Sequence, residues 1–376
     1  MNKVKASISN EITSDNGVIY PSIRNLARKL GIDKGTISGA FKRNDGVFRY
    51  EGHSYWLTDQ TDVDEKEKEE KEEITKEYEE FLKYKDVNEI PFKKFDFKFS
   101  KIREGNRYAI ALFSDAHIEE TVTPDSVLGL NEYNVNIARK RIEKYFVNLA
   151  NCLNEDEVKD LIFASLGDTI SGFIHDELAQ TNGLTPLEAV EEAQNLIYNG
   201  LRYLCENTDL ESIKFIGIVG NHSRTTKKIQ HNNGYAMSYE WLMYRNIKKQ
   251  CELTGLPIEF SIPNSEMAIV DTDDNRRFIF IHGFQIKSSG NGTVCGIYPA
   301  LNRLSMKWDK TFHQDKIYLG HFHSCISIPN ATVNGSIIGY NSFALTNGFQ
   351  YEEPAQMYEL FDSKSGLLLT RQIYCR

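Results

Sequence analysis

Leu161-Ile162-Phe163-Ala164-Ser165-Leu166-Gly167-Asp168 is the stretch that decides how this chain reads. A short, mostly apolar run stops at a glycine and a carboxylate, as a buried strand does where it leaves its sheet. The pattern recurs in order along the chain. Tyr108–Phe113 leads into Asp115-Ala116-His117, and Phe215–Val219 into Gly220-Asn221-His222. Phe278–Ile281 leads into His282-Gly283, and Ile317–Leu319 into Gly320-His321-Phe322-His323. Side chains at the carboxyl ends of neighbouring strands in an α/β sheet converge on one crevice. This crevice would hold two aspartates, one asparagine and five histidines, with no thiolate. Carboxylate, amide and imidazole together suit Mn, Fe or Zn rather than a soft thiolate site. Two such cations side by side polarise a phosphoryl oxygen and make hydroxide at neutral pH. The first expectation is therefore a two-metal phosphoester hydrolase.

One residue separates Asp115 from His117, and one separates His321 from His323. On an extended strand end this spacing puts both members of a pair on one face. Between the strands, helical stretches are expected at 134–153, 186–206, 235–251 and 298–309, and short strands dominate from Ile317 to Ile373. Strands alternating with helices, then more strands, predict an α/β fold of two packed mixed sheets flanked by helices.

The order and spacing of the five motifs, over about residues 105–330, resembles the calcineurin-like metallophosphoesterase superfamily. The resemblance implies a four-layer sandwich. It assigns Asp115, His117 and His323 to a first metal, and Asn221, His282 and His321 to a second. Asp168 would bridge the two, drawing the cations together. His222 would bind no metal but face the substrate, protonating the leaving oxygen or stabilising the charged phosphorane, roles that suit an imidazole. A buried core histidine is the bland alternative for each. Two positions depart from the common pattern: Ser223 and Ser171 stand where many members carry an acid. Both segments, 167–178 and 220–228, are similar to bacteriophage metallophosphoesterases of the SbcD-like type, often described as repair exonucleases.

Residues 1–60 read as a separate small domain. Ile23, Leu26, Ala27 and Leu30 share a helical stripe within 22–30, Gly31 breaks it, and Asp33 can cap a second helix, 34–42, with Ile37 and Phe41 inward. Two strands about a tight turn, 48–50 and 53–57, follow. With its Tyr-Pro-Ser-Ile-Arg opening (20–24), this resembles the modular DNA-binding domains of some phage and intron-encoded nucleases, a helix-turn-helix or winged-helix-like unit. Thr36, Ser38, Lys42 and Arg43 would then lie at the nucleic acid. A small helical domain for protein contacts is the alternative. Residues 61–100 form an acidic Glu/Lys-rich connector, and 101–376 the catalytic domain. Ile74, Tyr78, Phe81 and Leu82 at helical spacing suggest a docked helix within the connector, and Phe95, Phe97 and Phe99 an edge strand.

Charge follows the same division. Residues 1–60 carry +3 and 61–90 carry −7, which leaves −5 for the rest of a chain whose total is −9. The acidic body argues against non-specific nucleic-acid binding by the body itself. With 40% hydrophobic and 26% charged residues the composition is that of a globular protein. No membrane span and no apolar signal-peptide core are visible. Six scattered cysteines fit reduced thiols in a cytoplasm, that of a bacterial host if the chain is phage-encoded.

Beside the third motif, Arg224 could grip a phosphate through two donors, with Lys227, Lys228 and His231 nearby. A solvated loop is the alternative for the lysines. His175-Asp176-Glu177 reads as a rim or a polar loop, and 287–292 as a loop able to reach over a substrate. The main expectation is a DNA nuclease with two divalent ions, Mn first and Fe or Zn as alternatives, hydrolysing phosphodiesters by metal-bound hydroxide. Its partner would be nucleic acid and not a membrane, and a homodimer stays open. The alternative is a phosphatase or cyclic-nucleotide phosphodiesterase acting on a small molecule or phosphoprotein. A third reading, a DNA-bound scaffold with a vestigial site, sits poorly with an intact set of eight site residues.

Overall fold

The computed structural model describes residues 12–20, 22–57, 107–286 and 294–376. The connector helix, the phenylalanine strand and the 287–292 loop lie outside them. The chain divides into two compact units, residues 1–92 and 93–376.

In the first unit, strands β1 (Ile12–Ser14) and β2 (Ile19–Tyr20) precede helices α1 (Ile23–Leu30) and α2 (Lys34–Arg43), and β3 (Val47–Tyr50) and β4 (His53–Leu57) form a hairpin. Ser22 caps α1 by accepting from the Asn25 amide, and Gly31 ends it in the left-handed conformation. Asp33 caps α2 through the amides of Gly35 and Thr36. The sheet runs β2-β1-β4-β3. Its first two strands were not visible in the sequence pattern, yet β1 supplies buried Ile12 to a core of Leu26, Ala27, Ile37, Phe41, Phe48 and Tyr55. Thr36, Lys42 and Arg43 are exposed and Ser38 is half-buried.

The second unit has two mixed sheets. The six-stranded sheet runs β15-β14-β5-β6-β7-β8, from β5 (Arg107–Phe113), β6 (Asp160–Ser165), β7 (Ser212–Gly217), β8 (Ile258–Ser261), β14 (Ala355–Asp362) and β15 (Gly366–Tyr374). The five-stranded sheet runs β12-β13-β11-β10-β9, from β9 (Met267–Asp271), β10 (Arg277–Ile281), β11 (Lys316–Leu319), β12 (Ile326–Ile328) and β13 (Ala331–Val333). Strands β5 to β8 are parallel, as are β10 and β11. Parallel strands covered on both faces need apolar residues at every position, which is why β5 reads as a continuous apolar run.

The two faces of β5 define the layers. Ala109, Ala111 and Phe113 pack on helices α3 (Val135–Glu155), α5 (Pro186–Asn207) and α6 (Tyr239–Thr254). Tyr108, Ile110 and Leu112 face the other sheet, meeting Ala268, Val270, Phe278, Phe280 and Tyr318. The far side of that sheet, through Ile279, Ile281, Ile317 and Leu319, packs on Ile297, Ala300 and Leu301 of α7 (Val294–Phe312). Helix, sheet, sheet and helix make the four-layer sandwich. Short helices α4 (Leu178–Thr181) and α8 (Ser342–Thr346) lie in loops. The helix expected from 235 starts at Tyr239, because Ser238 caps it and a separate 3-10 turn holds Gly234–Met237. The last two strands are long, eight and nine residues, rather than short. Among the described residues no helix is long and apolar enough to cross a membrane.

Candidate metal centre

All seven predicted ligands meet at the carboxyl edge shared by the two sheets. Asp115, His117 and His323 form one cluster, and Asp168, His282 and His321 another. Asn221 joins the second, its Oδ1 3.1 Å from His282 Nε2. Each cluster draws on both sheets: Asp115, His117 and Asp168 follow β5 and β6, whereas His282, His321 and His323 follow β10 and β11. Two packed sheets with coincident edges therefore build the site, and neither could build it alone.

Alternation along a strand is not what brings the pairs together. Asp115 (φ 53°), His117 (46°), Asp168 (51°), His321 (72°) and His323 (51°) all lie in the left-handed region. They are five of the eleven non-glycine residues with positive φ among the described ones. Asp and His tolerate this region better than most side chains. It still costs of order 1–3 kcal/mol per residue and persists where surrounding contacts over-determine it. His321 and His323 divide between the clusters, as the resemblance implied, but they do so on left-handed rather than the extended backbone expected.

The glycines of the motifs follow from crowding. A Cβ on Gly220 would collide with the Asp168 carboxylate, and one on Gly320 would lie 2.6 Å from Asp115 Oδ2. Main-chain bonds stitch the loops together: Asp115 N–H donates to Gly167 O at 3.0 Å, and Gly320 N–H to His282 O at 2.8 Å.

The carboxylates are tied from several sides. Asp115 accepts from the His321 amide at 3.1 and 3.0 Å and from Ser114 Oγ at 2.5 Å, and its Oδ1 lies 3.3 Å from His323 Nε2. Asp168 accepts from the His222 amide at 2.8 Å and lies 2.9 Å from His282 Nε2. Burial works against charge on Asp168, yet the facing His282 and His222 hold its carboxyl well below the usual range. Burial likewise opposes charge on Asp115, and His323 lowers its pKa. His117 and His321 are pushed down to about 3 by burial, helped by the neighbouring His222 and His282. Burial opposes charge on His282 as well, but Asp168 raises it to about 9. Asp115 and Asp168 as carboxylates and His117 and His321 as neutral imidazoles are in the forms that give lone pairs to a cation, whereas His282 and His323 are raised by the facing Asp168 and Asp115 and would give up a proton on binding one. His282 also donates from Nδ1 to Leu166 O at 2.7 Å, which aims Nε2 at Asp168 and Asn221. This oxygen-and-nitrogen donor set fits a pair of divalent cations.

His222 stands beside the clusters rather than in them. Its ring meets His117 edge-on, centroids 4.9 Å apart, and its Nδ1 lies 3.3 Å from Ser171 O. His175, exposed, lies 5.8 Å from it ring to ring. Arg224 directs its guanidinium to its own loop, donating to the carbonyls of Asn221, Thr226 (3.1 Å) and Lys227 (3.4 Å). The structure thus shows Arg224 bracing the loop that carries Asn221 and His222, with Lys227, Lys228 and His231 exposed beyond it.

Three acidic residues central to the site had no signal in the sequence pattern. Glu240, fully buried in the first turn of α6, accepts from the amides of Thr169 (2.6 Å) and Gly220 (2.7 Å) and from Ser223 Oγ (2.8 Å). It locks the second motif to the third. Glu119 accepts from the amides of Ser171 and Gly172, both at 2.8 Å, and burial raises its pKa to about 7. Glu120 reaches Ser171 Oγ at 3.2 Å. Ser171 and Ser223, notable in the sequence only as departures, are the contact points for Glu120 and Glu240.

No family model matches the sequence, and no curated protein matches it. Among solved structures the chain is similar to 5'-nucleotidase from Candida albicans SC5314, at 10% identity and a TM-score of 0.34, over 72% of this chain and 52% of that one. It is also similar to the calcineurin-like phosphoesterase YfkN from Bacillus subtilis, at 8% identity and a TM-score of 0.27, over 72% of this chain and 91% of that one. The chain thus spans about half the length of the first of these. At such identities and TM-scores the likeness decides nothing about substrate.

Proposed function

We propose that the chain is a two-metal phosphoester hydrolase. The observation that carries this reading is the meeting of seven ligand side chains in two adjoining clusters, with an eighth residue, His222, placed beside them and outside them. Bound there, two divalent ions would neutralise phosphate charge and lower the pKa of water. Asp115, His117 and His323 would hold one ion, and Asn221, His282 and His321 the other. Asp168, buried beside residues of both clusters, would serve both. Oxygen and nitrogen donors without thiolate suit Mn, Fe or Zn. With Nδ1 directed to the Ser171 carbonyl, His222 keeps Nε2 for the substrate. There it can deliver a proton to the departing oxygen when the ring is charged.

A small phosphate ester is the substrate that this reading supports most directly, because every residue of the metal centre belongs to the second unit. DNA is the substrate the first unit would add. Its exposed Thr36, Lys42 and Arg43 on α2, and its +3 charge, fit a module that tethers a nuclease to phosphate backbone, and tethering raises local substrate concentration. A panel of chromogenic monoester, chromogenic diester, single- and double-stranded DNA, and RNA separates the two, each assayed with Mn²⁺ and with chelator. Removal of residues 1–60 should leave the chromogenic esters nearly untouched. In the nuclease reading it should weaken DNA binding at low salt and flatten its salt dependence. Unchanged DNA affinity after removal would turn the first unit into a protein-contact module, and no hydrolysis of any ester would end the enzymatic reading.

A further inference from the structure

We infer that Glu120, acting through Ser171, is a positioning residue that fixes the tautomer of His117 and thereby tunes one half of the metal centre. The inference rests on the two-metal reading above. His117 Nδ1 lies 2.8 Å from Ser171 Oγ, and that oxygen lies 3.2 Å from Glu120 Oε2. Direction follows from donor counting. Glu120 faces two donors, Asn341 Nδ2 at Oε1 and Ser171 Oγ at Oε2, and so accepts, and a hydroxyl has one hydrogen. Ser171 therefore gives its hydrogen to Glu120 and must accept from His117, whose Nδ1 then carries the proton. That leaves the lone pair on Nε2, the nitrogen free to join Asp115 and His323. Glu120 is itself held, accepting from Asn341 Nδ2 at 3.1 Å at the base of α8. Ser171 is fixed from its main-chain side as well, its amide donating to Glu119 at 2.8 Å.

Without Glu120 the Ser171 hydroxyl is free to turn and donate to Nδ1, which would favour the opposite tautomer and withdraw the Nε2 lone pair. The second cluster lacks this dependence, because His282 Nδ1 is directed to the Leu166 main-chain carbonyl. Outer partners of metal-binding histidines commonly set metal affinity by about 10–100-fold.

The test is Mn²⁺ titration of the metal-stripped full-length chain, read as two binding steps by calorimetry. Glu120→Ala and Ser171→Ala should each weaken one step by about 10–100-fold and leave the other unchanged, and the unchanged step certifies the fold. Glu120→Gln should retain part of the affinity, since its amide oxygen can still accept from Ser171. Equal weakening of both steps would mean a merely structural role and would overturn the inference, as would two unshifted steps. Failure of the unaltered chain to bind Mn²⁺ would instead count against the two-metal reading itself.

Discussion

The two halves of the metal centre are oriented by different means. In the half built from Asp115, His117 and His323, an imidazole is aimed by a chain of side chains, Ser171, Glu120 and Asn341. In the half built from Asp168, Asn221, His282 and His321, the corresponding imidazole is aimed by the main chain at Leu166. A main-chain carbonyl at the end of β6 is fixed by the sheet and survives any substitution that keeps the fold. A relay of side chains can be cut at a single residue. The halves also hold each other: Asp115 of one accepts the amide of His321 of the other, and His117 N–H donates to Asp168 O at 3.2 Å. Adjacent seats with similar ligands therefore differ in how readily one mutation loosens them.

The largest effect should come from a residue belonging to neither half. His222→Asn should slow turnover of a chromogenic ester by roughly 10²–10⁴-fold, typical of a lost general acid or base, with both ions retained. Steady-state kinetics paired with metal analysis reads both quantities. If this variant loses an ion, His222 is a ligand and the division into two halves must be redrawn.

Next in size are the ligands whose assignment crosses over at Phe322. His323→Ala should weaken the half containing Asp115, and His321→Ala the half containing Asp168. Each should exceed the about 10–100-fold cost of losing an outer partner. Two-step metal titration of the two variants checks this. Loss of the same step in both would mean that His321 and His323 hold the same ion and that the division into two halves is wrong.

The sequence showed the strand ends because β5, β6, β10 and β11 are buried on both faces and break at a polar motif. Leu161–Leu166 and Asp160–Ser165 differ by one residue at each end. It also showed which side chains meet, though through the wrong geometry. Alternation cannot be told from left-handed turns in the string Gly320-His321-Phe322-His323, where φ of 72° and 51° replaces the extended backbone that alternation assumes. Glu119, Glu120 and Glu240 were invisible for a different reason. Ser171 lies 52 and 51 residues from Glu119 and Glu120, and Thr169 lies 71 from Glu240, and an acidic residue in a loop or on a helix start reads as solvated until the fold buries it. In the first unit, both helices were legible from apolar spacing and caps, whereas two- and three-residue strands such as β1 and β2 are too short to show any period.

The measurement that bears most directly on the centre as a whole is metal content against activity. The full-length chain, dialysed against a chelator and reloaded with Mn²⁺, should take up two ions per chain, with phosphoester hydrolysis lost on stripping and restored on loading. Full hydrolytic activity in a preparation shown to be metal-free would mean that these seven side chains do not act through bound cations.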